Sequence, residues 1–218
     1  MQPDKLDSKK AGHLHPITQV IREIEMIFGE IGFSVAVGPE LETEFYNFDA
    51  LNVAKDHPSR DMQDTFWIKQ RAPDGERLLL RTHTTSVTLR MLQAHKDNVQ
   101  EGKPLRLIAP GKVFRNEATD ATHEAQFFQI DGTYIDKHVS LADLKSTLTY
   151  FFKRLLGDEV ELRFRPSFFP FVEPGVEIDI KRKGKWLEVM GAGILHPNVL
   201  RAAGVDPEKC SGFAFGGG

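Results

Sequence analysis

A chain of 218 residues, 40% hydrophobic and 27% charged, is long enough for one domain with a sizeable core and has the balance of a globular protein rather than a disordered or fibrous one. A formal net charge of −3 excludes a globally basic surface, so any recognition of anions must come from local groups. No apolar run approaches the roughly 20 residues of a membrane helix, the polar start lacks a secretory core, and the single Cys210 excludes an internal disulfide, so a soluble, cytoplasmic protein with no membrane partner is expected.

Residues 1–15 carry no periodicity and are expected to be a tail or linker remnant, which leaves 16–218 as the core. Ile17, Val20, Ile21, Ile24, Ile27, Phe28 and Ile31 recur at three and four, and Gly32 supplies a stop, which predicts an amphipathic helix. The stretch "GFSVAVGPELETEFYNF" reads as a strand ending at Gly38-Pro39, because proline does not fit a central ladder. In "LLLRTHTTSVTLRMLQAH" a short apolar strand passes into a helix, with Thr84 or Thr85 as cap. Strands are predicted in "LRLIAPGKVF", "FFQIDGTYI", "EVELRFRP", "GVEIDIKR" and "KWLEVMGAG". Between them, Ser140 and Asp143 form a start signal for a helix over Leu141 to Leu156, and His196-Pro197 reads as a helix entry. Helices toward the front and runs of strands behind predict an α+β fold with a mainly antiparallel sheet flanked by helices.

The chemistry concentrates in "FRNEATDATHEAQFFQIDG", residues 114–132. On a strand Arg115 and Glu117 share one face, where the guanidinium can grip a phosphate bidentately and the carboxylate can accept hydrogen bonds. On the returning strand Phe127, Gln129 and Asp131 share a face, and His123 in the loop stands within reach of outer phosphate oxygens. A flat ring beside a cation suits a nucleotide, although a bare R-x-E also fits a surface ion pair. In "SFFPFVEPG", Phe169, Phe171 and Glu173 fall on one face of an extended segment, with Pro170 and Val172 on the other. Two rings at that spacing suit edge-to-face contact with a third ring, or simple filling of the core. His13 and His15 have no zinc spacing with the remote cysteine, and His57, His95 and His138 are expected to be solvated or structural.

Residues 114–132 resemble motif 2 of class II aminoacyl-tRNA synthetases. From "GHLHPITQVIREIE" to "SGFAFG" the chain resembles the catalytic domain of phenylalanyl-tRNA synthetase alpha subunits. Four blocks carry the resemblance: "FDALNVAKDHPSRDMQDTFW", "LLRTHTTSVTLRML", "VFRNEATDATHEAQFFQIDG" and "FRPSFFPFVEPGVEIDI". It implies a sheet flanked by helices, with motif 1 in the Ile17–Ile31 helix and the strand ending at Pro39. It also implies ATP and Mg2+ as cofactors, phenylalanine and tRNA(Phe) as substrates, and a beta subunit as partner in a heterotetramer.

By the same resemblance Arg115, Glu117 and His123 are catalytic and bind ATP, with Phe127 stacking the adenine. Trp67, His83, Thr85, Gln129, Asp131, Phe169, Phe171, Val172 and Ala214 are implied to bind phenylalanine, and Glu173 to bind the metal. The chain departs from the family's pattern at Phe128, where a histidine is frequent, and at Asp131, where a longer glutamate is frequent; a longer or water-mediated ammonium contact follows. Motif 3, with an arginine to pack on the adenine, is expected just beyond "GFAFG", and a coiled-coil arm before residue 1, so the chain is expected to be truncated at both ends. A synthetase-like module that binds phenylalanine or an adenylate without catalysis is the alternative.

Overall fold

The computed structural model describes residues 12–60, 65–116 and 124–218. Helix α1, Pro16–Glu30, begins at His15, whose Nδ1 accepts a hydrogen bond from the Ile17 amide at 3.3 Å, and it buries Ile24, Ile27 and Phe28. This is the helix predicted from the apolar spacing, shifted by one residue.

The next stretch differs from expectation. Instead of one strand, the chain forms β1, Ser34–Val35, then β2, Leu41–Thr43, and then a single helical turn, α2, Glu44–Asn47. Gly38-Pro39 separates the two strands, and the Thr43 hydroxyl accepts the Tyr46 amide at 3.5 Å, so an N-cap ends the extended run where the apolar residues continue. Strand β2 pairs with β4, Arg77–Leu80, and β4 with β3, Trp67–Arg71, in a small antiparallel sheet. Helices α3, Thr85–Ala94, and α4, Lys96–Gln100, follow, with Thr84 preceding α3 as predicted.

The main sheet contains the five predicted strands as β5, Leu105–Phe114, β6, Gln126–Asp136, β7, Leu162–Phe169, β8, Val172–Arg182, and β9, Lys185–Leu195, together with β10, Ser211–Gly217. Their order is β1-β5-β6-β10-β9-β8-β7; among the described residues only the β1–β5 pair is parallel. Helix α5, Leu141–Leu156, carries the reciprocal Ser140–Asp143 capping box, and α6, Pro197–Ala202, starts with proline behind a His196 cap. The architecture is α+β, a mostly antiparallel sheet flanked by helices, as the sequence predicts.

Helices α1 and α5 cover one face of the sheet, where the Phe28 ring stacks on Phe151 at 4.7 Å and on Phe215 at 5.2 Å. Phe28 and Phe213 are fully buried, and each contributes roughly 1.5–3 kcal/mol by leaving water. A second apolar cluster, including Leu51, Leu89, Val199 and Leu200, joins the connecting helices to Val172, Leu195 and Ala214 of the sheet. Among the described residues no helix is long and apolar enough to cross a membrane.

The stretch "SFFPFVEPG" is not one extended segment. Strand β7 ends at Phe169, Pro170 and Phe171 form a turn, and β8 starts at Val172, with Phe169 registered against Val172. An i, i+2 pair of rings is compatible with a strand and with a tight hairpin alike; the cross-strand pairing selects the hairpin.

Candidate active site

A cavity of about 490 Å³ opens beside this turn, within the size range of small-molecule sites. Gln129 and Asp131 of β6, Gly191 of β9 and Ala214, Phe215 and Gly216 of β10 line the part formed by the sheet. The turn contributes Phe168, Phe169, Pro170 and Phe171. Thr82, His83 and Thr85 come from the loop into α3, Arg115 from just beyond β5, and Phe48, Val53, His57 and Ser59 from the segment after α2.

Strand alternation explains why Gln129 and Asp131 appear together, since residues two apart project from one face. Gln129 Nε2 donates to Asp131 Oδ1 at 2.7 Å, and Thr85 Oγ1 donates to Asp131 Oδ2 at 2.5 Å. Asp131 is only 2% exposed; burial pushes its carboxyl up to about 6, against the pull of the Thr85 and Gln129 bonds and the Arg115 charge. Gln129 Oε1 is buried and accepts from no described residue.

Asn47 fixes the opposite wall. Its amide side chain exchanges two bonds with Thr82, Nδ2 to Oγ1 at 3.0 Å and Oδ1 from the Thr82 amide at 3.1 Å, and its carbonyl lies 2.9 Å from His83 Nε2. A carbonyl oxygen only accepts, so Nε2 carries the proton. Loss of water around the ring lowers His83 to about 4, and the nearby Arg115 and Arg81 charges act in the same direction. His83 is therefore neutral, and its buried Nδ1 is an acceptor with no donor among the described residues. Arg81 braces the same loop: its Nε donates to the Lys112 carbonyl at 2.8 Å and Nη1 to those of Gly38 and Pro39 at 3.1 and 3.2 Å.

Phe169 and Phe171 stack with centroids 5.9 Å apart and planes at 26°. Gly191 lies under them because a Cβ there would stand 2.8 Å from Phe169 Cζ. Phe168, beside them, is 82% exposed at the mouth of the cavity.

Eight residues singled out from the sequence line this one hollow: His83, Thr85, Arg115, Gln129, Asp131, Phe169, Phe171 and Ala214. Four others lie elsewhere. Phe127 packs under Arg115, with the guanidinium carbon 5.1 Å from its ring centroid. Trp67 stands behind Phe48 at 6.2 Å and under Arg77 at 3.5 Å, its indole N–H buried with no acceptor among the described residues. Val172 belongs to the apolar cluster beneath the turn. Glu173, with its side chain 77% exposed, faces away from the cavity toward His196 Nε2 at 3.6 Å. Glu117 and His123 lie outside the described residues.

Sequence reasoning missed Asn47, Thr82 and Ser59, and it set His57 aside as solvated or structural. His57 lines the cavity, with Nδ1 2.8 Å from Ser59 Oγ. The block "FDALNVAKDHPSRD" contained the signal, but no spacing within it points across the fold to β6.

Among the described residues no three His, Cys, Asp or Glu side chains come together to hold a metal. One exposed carboxylate outside the cavity does not fit a magnesium ion by itself, and no step below runs through one.

The arrangement joins three chemistries: buried acceptors at Gln129, Asp131 and His83, a cation at Arg115, and a pair of rings. That is a receptor for a small ammonium-bearing molecule with an apolar side chain and an adjacent anion. Residues 4–218 match the family described as tRNA synthetases class II core domain (F), and the chain belongs to it. Over 208 residues it is 53% identical to the phenylalanine–tRNA ligase alpha subunit of Photobacterium profundum, covering 95% of this chain and 60% of that protein. It is 49% identical over 219 residues to the protein of the same name from Pelodictyon phaeoclathratiforme, covering 95% of this chain and 62% of that one. The chain thus spans about 60% of the length of the curated relatives it matches. Class II synthetases use ATP and Mg2+.

Proposed function

We propose that this chain is the catalytic core of the alpha subunit of a phenylalanine–tRNA ligase, working in the cytoplasm with a beta subunit in a heterotetramer. It activates phenylalanine with ATP and passes it to tRNA(Phe). The observation that carries the proposal is the cavity shared by Arg115, the Gln129–Asp131 pair and the Phe169–Phe171 rings.

The substrate ammonium is held by Asp131 and Gln129 Oε1, and Thr85 keeps the Asp131 carboxylate turned toward it. The benzyl group lies against Phe169 and Phe171, with Ala214 and Val172 setting the depth and back of the pocket. His83 and the buried Trp67 indole N–H meet the polar end of the amino acid. In the first step a carboxylate oxygen of phenylalanine bonds to the α-phosphorus of ATP, and the bond to pyrophosphate breaks. A ribose hydroxyl of tRNA(Phe) then takes the acyl group and AMP leaves.

Neither step needs a protein nucleophile; positioning and charge stabilisation suffice. Arg115 neutralises the α-phosphate, Phe127 stacks the adenine, Glu117 turns toward the adenine amino group and His123 toward the outer phosphates. Magnesium, to which Glu173 is the assigned protein ligand, supplies further charge neutralisation on the phosphates when bound.

The test is phenylalanine-dependent exchange of pyrophosphate into ATP. Arg115→Ala is expected to lower it by about a hundred- to a thousandfold, in the range for loss of one charge-stabilising donor. Near-normal exchange in this variant would refute the assignment.

A further inference from the structure

Asn52 follows a short 3-10 turn, Asp49–Leu51, in the left-handed conformation, φ 60° and ψ 23°, which asparagine tolerates better than most residues. Its side chain is used at both ends. Nδ2 donates to the Pro170 carbonyl at 2.7 Å, and Oδ1 accepts from Asn198 Nδ2 at 2.9 Å. Asn198 is itself held: its amide donates to His196 Nδ1 at 3.1 Å, and its Oδ1 accepts from Arg201 Nη1 at 3.0 Å. The His196 amide in turn donates to the Phe171 carbonyl at 2.9 Å. The turn carrying the two cavity rings is therefore tied by consecutive carbonyls, Pro170 to Asn52 and Phe171 to His196, and the two ties meet at Asn198.

We propose that Asn52 is a positioning residue for the aromatic wall of the cavity: from outside the ligand's reach it fixes the Pro170 carbonyl and so the angle at which Phe169 and Phe171 face the bound side chain. A free turn between β7 and β8 would let the two rings swing with the Pro170–Phe171 peptide. The bond to Asn52, reaching across 118 positions of sequence, removes that freedom before the ligand arrives. That the bound side chain is phenylalanine's rests on the function proposed above; the tether itself does not.

Two variants separate the contributions. Asn52→Asp keeps size, left-handed tolerance and the acceptor for Asn198 but loses the donor to Pro170; Asn52→Gly keeps the backbone and loses both bonds. In amide hydrogen exchange of the full chain, both variants are expected to speed exchange of the His196 amide by about tenfold, the factor for loss of one buried hydrogen bond, with the Ile178 amide in the β8–β9 pairing unchanged. Uniform acceleration of both amides, or of neither, overturns the proposal. Equilibrium titration supplies the second arm: phenylalanine binding is expected to weaken by about tenfold in both variants, with the dissociation constant for ATP unchanged. Equal loss of both ligands would make Asn52 a general scaffold residue and also overturn the proposal. A wild-type chain that binds no phenylalanine would defeat the proposed function, while the exchange measurement still judges the tether.

Discussion

Thr85 Oγ1 donates to Asp131 Oδ2 at 2.5 Å, joining the first turn of α3 to the middle of β6 across the base of the cavity. The bond orients a carboxyl that burial has pushed from its ordinary 3.8 to about 6. Below that pH Asp131 is protonated and a poor partner for an ammonium. Phenylalanine affinity is therefore expected to rise as pH increases through about 6 and to level off above it. Asp131→Asn should weaken binding and flatten this profile; titration calorimetry on either side of that pH makes the comparison.

The same carboxyl makes a prediction about stability of opposite sign. Between 3.8 and about 6 the folded chain holds a proton that the unfolded chain has released, so stability falls as pH rises through this window. The full effect is on the order of 3 kcal/mol, since each tenfold change in proton affinity corresponds to about 1.4 kcal/mol. Urea denaturation at the two ends of the window should show a smaller drop in Asp131→Asn than in the wild type. An unchanged drop would assign the loss to other groups.

Ala214 is 5% exposed on β10, between Thr133 and Gly193, and its methyl group closes part of the cavity. Ala214→Gly should deepen the hollow and reduce discrimination against para-chlorophenylalanine by about tenfold, the low end of what one methyl-sized group gives in an apolar pocket. Relative rates of amino-acid-dependent pyrophosphate exchange measure this. Unaltered discrimination would take Ala214 away from the substrate.

Gly132 of β6 faces the Phe215 ring so closely that an added Cβ would lie 2.2 Å from Cζ. Phe215 cannot retreat freely, because it stacks on Phe28. Gly132→Ala should therefore cost about 1–3 kcal/mol through overpacking, seen as a lower urea midpoint at unchanged slope.

Glu42 is fully buried on β2 and accepts Arg90 Nε at 2.9 Å and Nη2 at 2.5 Å, while Tyr46 lies under the guanidinium at 3.7 Å. This pair fastens the small sheet to α3. Arg90→Met would leave a carboxylate in the interior without its counter-charge and should destabilise the fold by about 3–5 kcal/mol. Thermal unfolding tests this, and Glu42→Gln combined with Arg90→Met should recover part of the loss.

Legibility in the sequence follows the range of the interactions. Helix α5 is readable to the residue, because its apolar spacing and the Ser140–Asp143 box are local. The pairing of Gln129 with Asp131 is readable for the same reason, strand alternation being a nearest-neighbour property. The stretch from Gly32 to Phe48 passes for a strand because its apolar residues continue past Gly38-Pro39, and only the Thr43 cap reveals the helical turn. The turn at Pro170-Phe171 and the contributions of Asn47, Asn52 and His57 depend on partners 35 or more residues away in several cases, and no periodicity within a segment encodes them.

The cavity walls are drawn from positions near 48–59, 82–85, 115–131, 168–171, 191 and 214–216. No single stretch owns the hollow, so it vanishes as soon as any of these pieces detaches. Occupancy and integrity of the molecule are thus one equilibrium: a ligand present at about a hundred times its dissociation constant should strengthen the native state by about 2.7 kcal/mol, wherever unfolding begins.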